Sequence, residues 1–408
     1  MGQLGVLYYL NFFPKISESF ILNEINELYN RGYDIAVFAL NHPGENITHE
    51  EHQNIEVPTY YADASYMGSP QFTYSDIPQL LSKTPAQMAL NNANDVFPKS
   101  FSLKRVGDNL LLGKQCAQFI ESLDFDIDIV NAHFASPTRI GARLAARHHG
   151  IPCTVTAHAV EIFRSPNVPQ IRHICDGMDH VIVPSEYNRQ YLFEEIGIEN
   201  EITVVPATTQ VEKFDPSMRT VENRLLTVAR LVEKKGYQYG IEAVNNLIEQ
   251  GYDIEYHIVG TGDKKDRLQR QVKQYGIEDH VEFLGHIPDE RLKKELSEAS
   301  VFILPCVIAE DGDRDAMPVV LKEAMASETA CVSTTVSAIP ELITNGLDGL
   351  LVPQKEPEEL ASAIQELLDN PEKRKKIAEN GSETVYNRFD ISDSVDTLTD
   401  VFESLQTS

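Results

Sequence analysis

The stretch at residues 309–326 reads AEDGDRDAMPVVLKEAMA and joins a polar, acidic loop to a helical pattern. Asp315 stands in the loop, and Glu323 follows inside the helix, which Pro318 is predicted to open. Backbone N–H groups at a helix start are unpaired and favour phosphate, while carboxylates accept paired hydrogen bonds from neighbouring sugar hydroxyls. This loop and helix therefore predict a site for a phosphorylated, hydroxyl-rich ligand.

Upstream of this stretch, residues 226–236 read LTVARLVEKKG. The apolar start predicts a buried strand, and the turn after it carries positive charge into a helix. Arg230 offers a guanidinium fork and Lys235 a point charge, and both suit a departing diphosphate. Lys234 precedes Lys235 and is expected to be exposed. The alternative for Arg230 and Lys235 is that they are ordinary surface cations at a helix start.

Strand-like apolar runs alternate with amphipathic helical segments along almost the whole chain, which predicts an α/β fold with parallel sheets. The alternation starts again near Arg224, so we expect two doubly wound halves, with ligands beyond the carboxyl ends of the strands. The strands of the first half are predicted at Leu4–Leu10, Asp34–Leu40, Asp128–Ala132, Cys153–Ala157, His180–Pro184 and Ile202–Val205. Those of the second half are predicted at Leu225–Ala229, Ile254–Val259, Val281–Leu284, Val301–Leu304, Ala330–Ser333 and Gly349–Val352.

Helix boundaries are predicted from capping residues. Ser136 and Pro137 are expected to open one helix, Gly150 to end it, and Ser185 to begin the next. Further helices are predicted at Tyr237–Gln250, Leu268–Tyr275 and residues 391–408. The polar stretch at residues 66–102 indicates an insertion with short helices.

The composition excludes several classes of protein. The chain has 408 residues, enough for two domains, and a net charge of −27 with no basic excess in either half, so we predict no nucleic-acid partner. Five cysteines without CxxC spacing are predicted to be buried, reduced thiols. The N-terminal residues resemble a β-strand more than a signal peptide, and no apolar run approaches the roughly 18 residues of a membrane helix. We therefore expect a cytoplasmic protein with at most weak peripheral membrane association.

Residues 226–236 and 309–326 together resemble the motifs of the family 4 retaining glycosyltransferases, in which Gly-Arg-Leu-x-x-x-Lys-Gly is followed by Glu-x7-Glu. Ala229 stands where the family often has glycine, and Asp315 where it usually has glutamate. The resemblance extends over nearly the whole chain. It implies the α/β fold called GT-B, which has two Rossmann-like, doubly wound parallel-sheet domains facing a central cleft.

The GT-B resemblance also implies the domain boundaries. Residues 1–206 are expected to form the N-terminal acceptor domain, and residues 207–389 the C-terminal domain that binds the nucleotide-sugar donor. The helix at residues 390–408 is expected to pack back on the first domain, so that the two domains are hinged together at both crossings.

Roles for individual side chains follow from the same resemblance. Arg230 and Lys235 are expected to hold the diphosphate, Glu323 the ribose and Asp315 the donor sugar. Because aspartate is one methylene shorter than glutamate, the loop must come closer to the sugar or a water must bridge. His158, within TVTAHAVE, resembles the family histidine that faces the donor sugar, although such a histidine is more often a satisfied core or loop residue.

Backbone and turn residues complete the predicted nucleotide site. The helix start is expected to meet the phosphates through Ala316, Met317, Pro318 and Val319. A close-approach turn beside the nucleotide is predicted at Gly260 and Gly262, and backbone groups that face the base at Gly285 and His286.

The turn FFPKISESF at residues 12–20 joins the first strand to the first helix and is predicted to face the cleft. Ser17 and Glu18 are predicted contacts of the sugar or the acceptor, and the alternative is that Ser17 only caps the helix. A turn of this kind resembles a subgroup that acts in exopolysaccharide and colanic-acid-type surface glycan assembly.

No metal ligand and no cofactor are predicted, because cationic side chains take the place of a divalent ion. The acidic run through Asp311, Asp313 and Asp315 lacks the glycine and glutamate positions of a calcium loop. The His148 and His149 pair has no convincing metal-ligand spacing.

Together these features predict a metal-independent retaining glycosyltransferase. It would move a sugar from a nucleoside-diphosphate sugar to a hydroxyl acceptor, which is a glycan, a lipid-linked molecule or a small molecule. Two other classes stay open. One is a GT-B sugar phosphorylase or sugar-nucleotide epimerase. The other is an inert nucleotide-sugar-binding partner subunit, which Asp315, Thr208 and Gln210 favour slightly because they depart from the family pattern.

Overall fold

A computed structural model describes residues 4–15, 18–42, 56–62, 96–214 and 220–407. The chain divides into two compact units, Met1–Pro206 with Ser394–Ser408, and Ala207–Asp393. Each unit is a parallel sheet whose strands are connected by helices, because buried apolar runs alternate with amphipathic segments. The predicted α/β class with two doubly wound parallel sheets is confirmed.

The first unit has a seven-stranded sheet in the order β3-β2-β1-β4-β5-β6-β7. Its strands are β1 (Gly5–Phe12), β2 (Asp34–Asn41), β3 (Thr59–Tyr61), β4 (Ile129–His133), β5 (Cys153–Thr156), β6 (His180–Val183) and β7 (Ile202–Val204). Its helices up to residue 206 include α1 (Ser19–Asn30), α2 (Leu103–Ser122), α3 (Arg139–His149), α4 (Ala159–Phe163), α5 (Val168–Cys175) and α6 (Glu186–Tyr191). The strand order reverses between β1 and β4, and ligands of such sheets bind beyond the carboxyl ends at that point.

The second unit has a six-stranded sheet in the order β10-β9-β8-β11-β12-β13. Its strands are β8 (Arg224–Val228), β9 (Glu255–Val259), β10 (Val281–Gly285), β11 (Val301–Leu304), β12 (Ala330–Thr334) and β13 (Leu350–Val352). Its helices include α7 (Tyr237–Glu249), α8 (Lys265–Tyr275), α9 (Asp289–Glu298), α10 (Val319–Ala326), α11 (Ile339–Leu342), α12 (Pro357–Asp369) and α13 (Pro371–Arg388). Here the order reverses between β8 and β11, which are the two strands that precede the motifs read from the sequence.

The final helix, α14 (Ile391–Gln406), belongs to the first unit from Ser394 onward. Asp396 pairs with Arg31, and the Gln406 side chain donates a hydrogen bond of 2.7 Å to the carbonyl oxygen of Asp128. These contacts attach the end of the chain to the N-terminal sheet.

The predicted strands agree with the observed ones to within two residues at each end. Sequence reasoning missed β3, which has only three residues and lies at the edge of the sheet, where the apolar pattern is weak. Helix α8 begins at Lys265, three residues before its predicted start at Leu268.

Two of the predicted helix signals are confirmed and one is wrong. Gly150 ends α3 with a φ of 71°, and the Ser185 hydroxyl caps α6 by accepting from the N–H of Asn188 at 3.1 Å. The predicted opening at Ser136 and Pro137 is wrong, because α3 begins at Arg139. The Ser136 hydroxyl instead lies 3.1 Å from the Thr138 hydroxyl.

Two predictions fall largely or wholly outside the described residues. Ser17 is one of them, and the helix it was expected to cap, α1, begins at Ser19 after Glu18. Residues 66–95, most of the insertion predicted at residues 66–102, are the other. Within the described part of the chain, none of the helices is both long and apolar enough to span a membrane.

All five cysteines are buried and free, as predicted. Burial raises the pKa of the Cys306 thiol to about 12, and the nearby Asp315 carboxylate adds to this effect. The thiols are therefore protonated and behave as small apolar side chains.

Candidate active site

In the second unit the two sequence motifs meet where the strand order reverses. The chain leaves β8, forms a 3₁₀ turn at Glu233–Lys235 and enters α7, while the loop that follows β11 carries Asp315. Gly236 has a φ of 67°, and a Cβ at this position would lie only 1.8 Å from the carbonyl oxygen of Pro305. The glycine after Lys235 is therefore required to bring the turn against the loop.

The carboxylate of Asp315 is bound by both lysines of this turn. Nζ of Lys235 lies 2.6 Å from Oδ2 of Asp315, and Nζ of Lys234 lies 3.2 Å from Oδ1. Lys234 also lies 3.0 Å from Oδ1 of Asp313. Each oxygen of the Asp315 carboxylate therefore has its own lysine.

Two backbone N–H groups of the loop also donate hydrogen bonds to the turn. The N–H of Val307 donates to the carbonyl oxygen of Lys234 at 2.9 Å. The N–H of Glu310 donates to Oε1 of Glu233 at 3.0 Å. The ion pairs therefore connect a loop and a turn that these hydrogen bonds also hold together.

The charges of the cluster stabilise one another. Burial opposes ionisation of Asp315, but Lys235 and Lys234 outweigh it and hold the pKa of Asp315 well below its usual range. Burial also disfavours a charge on Lys234, yet Asp315 and Asp313 raise its pKa above the ordinary value. Asp315 and Lys234 are both charged at neutral pH.

The expectation that Lys234 is exposed is wrong. Its side chain is only 7% exposed, because it points at Asp313 and Asp315 instead of the solvent. One signal in the sequence could have indicated this contact. One motif carries two adjacent lysines, and the other carries two closely spaced aspartates, Asp313 and Asp315.

Arg230 and the predicted turn glycines lie at the carboxyl ends of β8, β9 and β10. A Cβ on Gly260 would lie 1.9 Å from the carbonyl oxygen of Ala229, and one on Gly262 would lie 2.4 Å from that of Leu231. The N–H of Gly260 also donates to the carbonyl oxygen of Gly285 at 2.8 Å. These glycines let three strand ends converge beside Arg230, which is exposed, as is His286.

Helix α10 carries Glu323 and starts shortly after the Asp315 loop. Pro318 precedes its first residue, Val319, so the proline lies at the N-cap, one position before the predicted one. Ala316 and Met317 are buried, and Glu323 is half-buried. The structure thus places a helix N-terminus directly after Asp315 in the chain, as the sequence predicted.

Sequence reasoning missed Lys322, which precedes Glu323 and is fully buried. Its Nζ donates to the carbonyl oxygen of Ala207 at 2.5 Å and lies 4.9 Å from the centre of the Phe389 ring. Burial lowers the pKa of Lys322 to about 7, although Glu323 and Glu341 act in the opposite direction. Lys322 therefore ties α10 to two chain segments at the ends of the second unit.

In the first unit, His158 follows β5 and its side chain is buried in a polar network. Its Nε2 lies 3.1 Å from Nδ1 of His133, at the end of β4, and Nε2 of His133 lies 3.5 Å from Oε1 of Glu24. Oε1 of Glu24 also accepts from the Tyr8 hydroxyl at 2.6 Å. Burial lowers the pKa of His158 well below its usual value, and His133 and Arg139 add to this effect, so its imidazole is neutral at pH 7.

His133 and Glu24 were missed by sequence reasoning. The two histidines come together because β4 and β5 are neighbours and both residues lie at the carboxyl ends of their strands. The backbone N–H of His158 donates to Oε1 of Glu161 at 2.6 Å, which fixes the start of α4. Whether His158 contacts a donor sugar stays a prediction.

Two further predictions concern the first unit. Glu18 pairs with Lys15 at 2.9 Å, and its role toward a sugar or an acceptor stays a prediction. His148 and His149 lie close to Glu121, with ligand atoms of the three residues within 4.8 Å of one another. Sequence spacing could not show this grouping, because Glu121 lies on α2 and the histidines lie on α3.

Comparisons with known proteins match both units. The family described as Glycosyltransferase Family 4 matches residues 17–212, and the family described as Glycosyl transferases group 1 matches residues 208–384. The amylovoran biosynthesis glycosyltransferase AmsK of Erwinia amylovora is 30% identical over 378 residues, which is 87% of this chain and 88% of that protein. The putative colanic acid biosynthesis glycosyltransferase WcaL of Escherichia coli is 30% identical over 413 residues, with 94% and 98% covered.

A solved structure, that of Anabaena Alr3699/HepE in complex with UDP, superimposes with a TM-score of 0.72 at 17% identity, covering 98% of this chain and 100% of that chain. The predicted GT-B fold is thereby confirmed. The chain belongs to glycosyltransferase family 4, and its activity is that of a glycosyltransferase. The predicted likeness to glycosyltransferases of exopolysaccharide and colanic-acid-type glycan assembly is confirmed as well.

Proposed function

We propose that this glycosyltransferase transfers a sugar from a nucleoside-diphosphate sugar to a hydroxyl acceptor in surface polysaccharide assembly, without a metal ion and with retention of configuration. The observation that carries the proposal is the pair Lys235 and Asp315 at the point where the strand order of the second unit reverses. One group suits a diphosphate and the other suits sugar hydroxyls. The names of AmsK and WcaL support a polysaccharide product.

The reaction needs a group that stabilises the leaving diphosphate as the bond between the sugar C1 and the phosphate oxygen breaks. Arg230, Lys235 and the N-terminus of α10 supply fixed positive charge for it. Glu323 binds the ribose hydroxyls, and Asp315 accepts a hydrogen bond from the donor sugar. The acceptor oxygen attacks C1 on the face that the phosphate leaves, and the leaving phosphate oxygen takes the acceptor proton.

Donor identity can be found by thermal shift with a panel of nucleoside diphosphates and their sugars. Uridine diphosphate is the first to test, because Alr3699/HepE was crystallised with UDP. With the donor in hand, transfer to a hydroxyl acceptor is followed by NMR, and the coupling constant of the anomeric proton in the product is compared with that in the donor. We expect the transferred sugar to have the same anomeric configuration in the product as in the donor.

The same assay tests metal independence. Activity should survive exhaustive treatment with EDTA, because side-chain cations take the place of a divalent ion. A requirement for added magnesium or manganese, or an inverted anomer, would contradict the proposal. Epimerised donor without acceptor, or cleavage that depends on phosphate, would indicate an epimerase or a phosphorylase.

A further inference from the structure

The two lysines that bind Asp315 differ in position and in number of partners. Lys235 occupies the motif position and is proposed above to bind the diphosphate. Lys234 pairs with two carboxylates, those of Asp313 and Asp315, and its carbonyl oxygen accepts from the loop residue Val307. Within the described residues, Lys235 pairs with one carboxylate, that of Asp315.

Both oxygens of the Asp315 carboxylate are engaged, and Oδ2 also lies 3.8 Å from Sγ of Cys306. Lys235 holds Oδ2 at 2.6 Å, and Lys234 holds Oδ1 at 3.2 Å. Each carboxylate oxygen has two lone pairs, so a sugar hydroxyl at Oδ2 would compete with Lys235 and with the Cys306 thiol. Asp315 is therefore a better acceptor for a sugar hydroxyl when one lysine is drawn away.

We propose that Lys234 is the positioning residue of Asp315, and that Asp315 competes with the donor's diphosphate for Lys235. When a diphosphate draws Lys235 away, Lys234 keeps the carboxylate in place. Oδ2 is then left with the weak thiol donor of Cys306 and becomes a better acceptor for a sugar hydroxyl. The phosphate end of the donor thus controls binding of its sugar end. This inference rests on the proposed function, because it requires Lys235 to be a diphosphate ligand.

Removing both lysines from Asp315 would leave an uncompensated buried charge, which is strongly unfavourable. This cost is avoided if Lys234 stays bound to Asp315, and this is the role that we infer for the second lysine. Lys234 is also held more firmly than Lys235, because it has Asp313 as a second partner. The backbone of Asp313 is itself fixed within the loop, since its carbonyl oxygen accepts from the N–H of Ala309 at 2.9 Å.

The test measures binding of inorganic diphosphate by calorimetry, so that no base or sugar is involved. Asp315→Asn should bind diphosphate roughly tenfold more tightly than the parent, because Lys235 is released, and this factor lies within the usual range of coupling between sites. Lys234→Met should bind about tenfold more weakly, because Lys235 is then the sole cation left on Asp315. The double variant should match Asp315→Asn.

The double variant separates a positioning role from direct contact. If Lys234 itself binds phosphate, the loss caused by Lys234→Met persists when Asp315 is also changed, and the inference is overturned. Lys273→Met, which removes an exposed cation from α8, is the matched control for loss of charge and should leave diphosphate affinity unchanged. Thermal unfolding of each variant checks its fold, and Lys234→Gln replaces Lys234→Met if the latter does not fold.

The remaining outcomes distinguish this inference from the proposed function. If Lys235→Met abolishes binding while Asp315→Asn and Lys234→Met bind like the parent, the competition is disproved and the proposed function stands. If Lys235→Met binds diphosphate as well as the parent, or the parent binds none, the proposed function fails and the inference fails with it.

Discussion

Asp315 stands where the family motif usually has glutamate, and its carboxylate lies among the lysines of the neighbouring turn. Its side chain is shorter than the usual glutamate by one methylene, yet two lysines reach its oxygens at 2.6 Å and 3.2 Å. The loop comes to the lysines because Gly236 admits the carbonyl oxygen of Pro305. Asp315→Glu would need more room within this cluster, so any donor preference set by chain length can be tested at this position.

Arg230 is exposed, unlike the two lysines, and contributes little to the fold. We expect Arg230→Ala to lower turnover by roughly 10²–10³, the scale for loss of one preorganised transition-state contact, with little change in thermal stability. Steady-state kinetics and calorimetric unfolding measure the two effects. Arg267→Ala, an exposed arginine on α8, serves as control, and parental turnover in Arg230→Ala would show that Arg230 does not bind the diphosphate.

At the scale of elements, Lys322 joins α10 to the segment that begins at Ala207. Because burial lowers its pKa to about 7 from 10.5, the unfolded chain binds one proton more than the folded chain between these pH values. The free energy of unfolding therefore rises with pH across this window through Lys322, with a limiting slope of about 1.4 kcal/mol per pH unit.

Urea unfolding between pH 7 and pH 10 tests this prediction against Lys322→Met, which keeps the apolar stem and removes the titrating group. As pH rises, the free energy of unfolding of the parent should increase relative to that of Lys322→Met. Parallel curves would show that Lys322 keeps an ordinary pKa in the folded chain.

A second pair links β9 to α9. Nδ1 of His257 lies 2.7 Å from Oε2 of the buried Glu295. The hydrogen bond to Glu295 raises the pKa of His257, and burial opposes this effect. Burial of Glu295 is outweighed by His257 and by Arg291, whose Nε donates to Oε1 at 2.7 Å, so the pKa of that carboxyl is lowered. The His257 contribution is complete below pH 6.5 and is lost as pH rises through the raised value. The Glu295 contribution is complete above pH 4.5 and is lost as pH falls through the lowered value.

Glu295→Gln should therefore destabilise the protein most between pH 4.5 and 6.5 and less on either side. Chemical unfolding at a series of pH values measures the difference from the parent. Glu290→Gln, on the exposed start of the same helix, is the control for loss of one carboxylate. A destabilisation that does not depend on pH would show that the pair contributes by packing alone.

At the scale of the whole molecule, the net charge is −27, and both halves of the chain are acidic. Charges of one sign repel one another in the compact state, and salt screens this repulsion over about 10 Å at 0.1 M. The midpoint of thermal unfolding should therefore rise by a few degrees as sodium chloride increases from low concentration to about 0.5 M. A falling midpoint, measured by calorimetry, would show that the ion pairs outweigh the repulsion.

The sequence by itself determined the alternation of strands and helices, the two parallel sheets, the family and the positions of Arg230, Lys235, Asp315 and Glu323 in the chain. These features are local. They can be recognised from the period of apolar residues, from a glycine or proline at the end of an element, or from a motif of fixed spacing, without knowing which segments are neighbours in the fold. Even here the start of α3 was misplaced, because Ser136 bonds to Thr138 instead of capping the helix.

Only the tertiary structure decided which side chains of distant segments meet. Lys234 was expected in solvent, but Asp313 and Asp315 draw it inward from a loop far along the chain. The burial of Lys322 and the pairing of His158 with His133 depend likewise on which strands and segments are neighbours. A local pattern cannot encode such contacts, because the partner of a charged side chain is chosen by the strand order that brings two loops together.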